Sequence, residues 1–247
     1  DPDGCPWDRA QTPQTLRPFL LEEAHEVLAA IDAGMPEAVG EELGDLLFNV
    51  LLMARVASDQ GWTDLSAVAG GIARKMRQRH PHVFAPIDAP ATPQSGGAHE
   101  IVAGWERGKH ERRGGTGLLD GVPKAAPALL VAHRQGQKVS AVGFDWTNVA
   151  GVLNKVDEEL GELREAIASG STDAISHELG DVLMSLASLG RHLGTPAEDS
   201  LRIANARFAR RFASVEALAL QDGLVLADTP APDLEALWSR AKSLEEA

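Results

Sequence analysis

Apolar residues recur along this chain at intervals of three and four, the period of helices with one face turned inward. Leu16, Phe19, Leu20, Val27 and Ile31 mark one such face. They predict a helix from Thr12, as N-cap with Pro13 at its first position, to about Ala33. Gly34-Met-Pro36 stops it. The segment from Glu37 to about Gln60 is apolar at Leu43, Leu46, Leu47, Val50, Leu51 and Ala54, around much of its circumference, which predicts a central, buried helix. Gly61 ends that helix, and Asp64 or Ser66 caps a third reaching His80-Pro81. No stretch alternates with period two. The expected fold is all-α.

Residues 86–97 carry Pro86, Pro90, Pro93, Gly96 and Gly97 among small polar neighbours, a linker composition. A short polar helix from His99 to Arg113 and a break at Gly114-Gly-Thr-Gly117 are expected next. A connecting helix follows around Ala128–His133. Beyond Val142-Gly-Phe-Asp-Trp146 the pattern predicts helices at 147–169, 172–193 and 196–220, the last opened by Thr195 with Pro196 at its first position, and a short one from Asp233 to Leu244. The organisation read from this is a first helical domain at 1–86, linker and connecting helices at 87–140, and a second helical domain at 141–247.

The two domains are copies. Glu22, Glu23, Glu26, Glu42, Leu43, Gly44, Asp45 and Arg55 recur as Glu158, Glu159, Glu162, Glu178, Leu179, Gly180, Asp181 and Arg191, every pair at one offset. Past the second helix the first copy is slightly longer, and Lys75-Met-Arg-Gln-Arg79 then matches Arg207-Phe-Ala-Arg-Arg211. Each copy thus has carboxylates on two helices and basic residues at i and i+4 on a third.

Charge narrows the function. A net charge of −13 argues against a nucleic-acid backbone or an anionic membrane as partner. No apolar run approaches a membrane span, and no signal-peptide pattern is present. The single cysteine, Cys5, forms no intrachain disulfide and fits a reducing compartment, so the cytoplasm is expected.

Carboxylates three apart on a helix share one face and repel unless a cation sits between them. Glu-Glu-x-x-Glu usually marks a solvated surface. Here Glu178 and Asp181 lie inside His-Glu-Leu-Gly-Asp-Val-Leu-Met, on a helix expected to be mostly buried, and the arrangement occurs twice. Two such pairs on neighbouring antiparallel helices form the oxygen-rich cage that a hard cation such as Mg²⁺ requires. Cations beside that cage, Lys155, Arg207 and Arg211, are what a phosphate chain needs. In the first copy Phe19 replaces Lys155. Trp7, Trp62 and Trp146 are read as core or interface residues, Trp238 as packing against its apolar neighbours or stacking on a base. His133, His177 and His192 lack zinc-ligand spacing, and there is no P-loop or Gly-rich dinucleotide fingerprint.

Cys5-Pro-Trp-Asp with Gln11-Thr12, Leu21-Glu-Glu-Ala-His-Glu26, Glu41-Glu-Leu-Gly-Asp-Leu-Leu-Phe48 and Arg79-His-Pro-His-Val-Phe84 resemble the MazG nucleoside triphosphate pyrophosphohydrolases. Val142-Gly-Phe-Asp-Trp146, Glu178-Leu-Gly-Asp181, Arg191-His-Leu-Gly194 and Ala204–Phe212 resemble the second domain of the two-domain form. The resemblance implies tandem all-α bundles, a homodimer, and Mg²⁺-dependent (or Mn²⁺-dependent) cleavage of nucleoside triphosphates to monophosphate and pyrophosphate. By position it implies Glu159, Glu162, Glu178 and Asp181 as metal ligands, with Glu23, Glu26, Glu42 and Asp45 as a further set in the first domain. Lys155, Arg207, Arg210 and Arg211 would contact the triphosphate, Trp238 would lie near the nucleotide, and Lys155, Glu158 and Glu159 would serve catalysis. Glu158 and the ligands remain alternatives for orienting the attacking water. The expectation is a broad or noncanonical-nucleotide enzyme; the alternatives are a narrower dUTP or phosphoribosyl-ATP pyrophosphohydrolase, or a non-catalytic nucleotide- or metal-binding dimer.

Overall fold

The structure, a computed structural model, describes residues 3–84 and 117–245. The linker expected at 86–97 and the polar helix at 99–113 lie outside them. Among the described residues there are helices and no strands. The chain divides into two compact units, Asp1–Ser95 and Gly96–Ala247.

The first unit contains α1 (Pro6–Arg9), α2 (Arg17–Asp32), α3 (Pro36–Asp59), α4 (Leu65–Arg79) and α5 (Pro81–Phe84). Only three residues separate α2 from α3, so the two pair as an antiparallel hairpin. Val27 and Ala30 on α2 are buried, as are Ala54, Val56 and Ala57 on α3. α2 starts later than its apolar pattern predicts. Thr12 instead closes a turn, its hydroxyl accepting from the Thr15 N–H at 3.2 Å. The reason is Pro18: it lacks an N–H and fits only a first helical turn, so a helix capped at Thr12 would place it too deep. Asp64 is the residue that caps α4, accepting from the Ala67 N–H at 2.7 Å.

The second unit contains α6 (Ala128–Ser140), α7 (Val149–Ser169), α8 (Thr172–His192), α9 (Ala197–Gln221) and α10 (Ala231–Glu245). Asn148 caps α7, accepting from the Gly151 N–H at 3.0 Å, and Ser171 caps α8. α7 and α8 form a second hairpin, and α6 and α9 both pack on α8. α9 and α10 enclose a core of Val215, Leu218, Ala219, Leu237 and Ala241.

One expectation fails in both units. α3 and α8 are not buried helices: Leu43, Leu47 and Phe48, like Leu179, Leu183 and Met184, are largely exposed. Helical periodicity reports how much apolar surface a helix carries and not what covers it. Trp7, Trp62 and Trp146 are likewise exposed rather than core residues. No described helix is long and apolar enough to cross a membrane.

Candidate functional site

The α7–α8 hairpin assembles the acidic cluster. Lys155, Glu158, Glu159 and Glu162 occupy successive turns of α7, and Glu178 and Asp181 one turn of α8. Oxygens of Glu159, Glu178 and Asp181 lie within 4.8 Å of one another. Glu162 stands just outside this trio, yet its carboxyl is pushed above the usual range, by burial first and then by the charges of Glu159 and Glu178.

Glu159 is the centre of the site. It is only 5% exposed. The Lys155 ammonium donates to Glu159 Oε1 at 2.7 Å and to Glu158 Oε1 at 2.7 Å. Those two hydrogen bonds, to Glu158 and then Glu159, raise the Lys155 pKa, so the ammonium stays charged. Glu159 Oε2 is buried without a hydrogen-bond partner. Such an oxygen is costly unless something positive meets it. An orphaned oxygen beside two further carboxylates is a donor set suited to a hard divalent cation.

The first unit holds a related cluster, Glu23, Glu26 and Glu42, again within 4.8 Å. Asp45 is not in that trio, although its charge acts on Glu23. The carboxyls of Glu23 and Glu42 are pushed up by burial and then by neighbouring carboxylates, Glu26 foremost. Where the second unit has Lys155, Phe19 meets Trp7 edge-on, with ring centroids 5.5 Å apart. Glu23 receives instead a hydrogen bond from the Asn49 amide at 3.3 Å. Asn49 matches Ser185 in the repeat, a difference between the copies that the carboxylate pattern does not reveal.

The remaining candidates lie elsewhere. Arg207 and Arg210 are exposed on α9, and Arg211 pairs with Glu245 on α10. Trp238 packs against Phe208 at a centroid distance of 5.4 Å. None of these four lines the cavity of about 680 Å³ that opens beside the cage. Lys155, Glu159 and Asp181 form one wall of that cavity, while Val139, Phe144 and Met184 supply apolar surface.

The lining also contains an ion pair that sequence reasoning missed, Asp145 with Arg191. Asp145 accepts two hydrogen bonds from the Arg191 guanidinium, at 2.7 and 2.6 Å. His192 Nε2 lies 2.9 Å from Asp145 Oδ1. Burial pushes the Asp145 carboxyl up, but the hydrogen bonds from Arg191 and His192 outweigh it and hold the group below its ordinary value. Arg191 reaches the loop past Gly136 of α6, where a Cβ would sit 2.9 Å from its Nε. In the first unit the matching Arg55 pairs with Asp59 on its own helix and stays exposed. The signal available in the sequence was a recurring arginine without an assigned partner.

A family model, described as the MazG nucleotide pyrophosphohydrolase domain, matches residues 11–84 and again 148–211. The chain belongs to the MazG family. Both acidic clusters fall within matched segments, whereas α6, Asp145 and α10 lie outside them. The chain is 39% identical over 253 residues to the nucleoside triphosphate pyrophosphohydrolase of Escherichia coli K12, covering 99% of this chain and 93% of that protein. It is 37% identical over 245 residues to the Thermotoga maritima nucleoside triphosphate pyrophosphohydrolase/pyrophosphatase MazG, covering 99% and 92%. It is also 37% identical to YabN of Bacillus subtilis, of which it spans 49%. The tandem MazG domains agree with the repeat and with the all-α fold.

Proposed function

We propose that this MazG chain hydrolyses nucleoside triphosphates at the α-phosphorus, releasing monophosphate and pyrophosphate, and that the second unit is the catalytic one. The observation carrying this reading is Glu159: one oxygen is held by Lys155 and the other is buried without a partner beside Glu178 and Asp181. The printed names of the Escherichia coli and Thermotoga maritima relatives support the activity.

Glu159, Glu178 and Asp181, with Glu162 adjacent, would hold Mg²⁺, or Mn²⁺ in its place. When bound, the ion polarises phosphate oxygens and offsets charge on the leaving pyrophosphate. The protein's own groups do the rest. Lys155 moves its hydrogen bonds from carboxylate to phosphate, and Glu158, freed from Lys155, accepts the proton of the attacking water. Arg207, Arg210 and Arg211 meet the phosphate chain once Arg211 leaves Glu245. Trp238 then lies near the nucleotide only if α9 and α10 are brought to the cage. Glu23, Glu26 and Glu42, with Asp45 adjacent, would form a second metal set with Phe19 in the place of Lys155, poorer for triphosphate.

The exposed apolar surface of α8 at Leu179 and Leu183, which lies outside the cavity lining, fits a second copy of this chain, so the protein works as a homodimer in this account. The substrates are broad or noncanonical nucleotides in a cytoplasmic setting that suits the free Cys5. The test is incubation of the full chain with a panel of nucleoside triphosphates and Mg²⁺, with separation of products. Monophosphate plus pyrophosphate supports the reading. Diphosphate plus phosphate contradicts it, and metal-dependent stability without turnover favours a binding dimer.

A further inference from the structure

The cavity beside the cage has a charged wall and an apolar one, and the apolar wall carries an unusual ring. Phe144 is 78% exposed and lines this open cavity together with Lys155 and Glu159. Its mount is rigid. Gly143, at φ +85°, adopts the left-handed conformation that ends α6. The Gly143 N–H donates to Ser140 O at 3.0 Å and the Phe144 N–H to Val139 O at 3.1 Å, the paired closure of a helix terminus. On its other side Asp145 is fixed by Arg191 and His192. Trp146, next along, packs so closely on α7 that a Cβ on Gly151 would lie 3.1 Å from its indole. A ring held between two fixed points and left open to a cavity is arranged for contact with a ligand, because preorganisation removes most of the ordering cost of binding.

The ligand follows from the two walls. A cavity of about 680 Å³ matches those that hold cofactor-sized molecules. The carboxylate cage and Lys155 suit a metal-bound triphosphate, so the apolar wall receives what remains of the same molecule, the base. We propose that Phe144 is the stacking platform for the nucleobase, with Val139 and Met184 closing the apolar side. This rests on the activity proposed above. Stacking uses the π face that every base presents and discriminates little among them. A platform of this kind therefore gives broad base tolerance. In the first unit Trp7, which also precedes an aspartate, spends its contact on Phe19.

The test compares the full wild-type chain with Phe144→Ala and Phe144→Tyr, in Mg²⁺, on ATP, GTP, CTP and UTP. Inorganic tripolyphosphate serves as a competitive inhibitor without a base, and thermal melts check folding. Phe144→Ala raises KM about tenfold for all four nucleotides and leaves kcat within about twofold, the scale expected for loss of one base–aromatic stack. Phe144→Tyr restores KM, and the tripolyphosphate inhibition constant does not move. KM values within about twofold of wild type would overturn the platform while leaving the activity standing. So would a tripolyphosphate constant that rises in step with KM, which marks a structural role. Absence of turnover by the wild-type chain overturns the activity and the platform together.

Discussion

Lys155 Nζ sits 2.7 Å from Glu159 Oε1, and this contact separates the two acidic cages of the chain. The first unit has Phe19 at the same place in the repeat, turned onto Trp7. An ammonium on a cage carboxylate does two things. It offsets repulsion among the carboxylates and, under the proposed function, would neutralise phosphate. Replacing Lys155 with Ala is therefore expected to lower kcat/KM by about a hundredfold, the scale of losing one preorganised charge donor. Lys155→Arg retains the charge but not the compact geometry and recovers only part of the loss. Steady-state kinetics on ATP with Mg²⁺ check both.

The division of labour between cages gives a paired prediction. Under the proposed function Glu159→Gln, at the buried carboxylate, is expected to abolish turnover, whereas Glu23→Gln is expected to spare most of it. Both variants are to be assayed side by side with calorimetric titration of Mg²⁺. Equal losses from the two substitutions would end the assignment of catalysis to the second unit.

Repulsion inside the cages also sets a pH dependence. Glu23, Glu42 and Glu162 have folded-state pKa values raised above 4.5. A raised group contributes stability that is complete below its unfolded value and lost as pH climbs through the folded one. The metal-free protein should lose stability as pH climbs above their ordinary 4.5. Saturating Mg²⁺ should remove most of that loss. Thermal melts across this range, with and without EDTA, measure it; metal-free stability that rises over the same window would contradict the cages as described.

Asp145 titrates with the opposite sign. Its folded value is depressed, so its contribution is present above its ordinary 3.8 and fades as pH falls further. Asp145→Asn leaves the Arg191 guanidinium, whose side chain is 7% exposed, without its counter-charge. Breaking such a pair costs about 3 kcal/mol. Denaturant unfolding of the variant should show that loss at pH 7 and a flatter response below pH 4 than wild type.

The fold was legible wherever a local rule decided it. Helical periodicity placed the main helices among the described residues, and Asp64, one of two cap candidates, opens α4; α9 starts one residue later than expected, with Pro196 rather than Thr195 as its N-cap. The acidic clustering was legible because carboxylates three apart on a helix must share a face, and the repeat showed the pattern twice, although Glu162 and Asp45 stand outside the two trios. Two kinds of feature escaped. The start of α2 turned on Pro18, a single backbone constraint that outranked the apolar pattern. The Asp145–Arg191 pair joins residues far apart in sequence and depends on the missing Cβ of Gly136, so no spacing rule announces it. Exposure of Leu179 and Met184 was unreadable for a related reason, since periodicity does not identify the covering partner.

The central claim is attack of water on the α-phosphorus within the Lys155–Glu159 cage. Turnover of ATP in ¹⁸O-labelled water, followed by mass spectrometry of the products, tests it most directly. The account predicts one labelled oxygen in the monophosphate and none in pyrophosphate. Label found in pyrophosphate, or in inorganic phosphate released with a diphosphate, would contradict it.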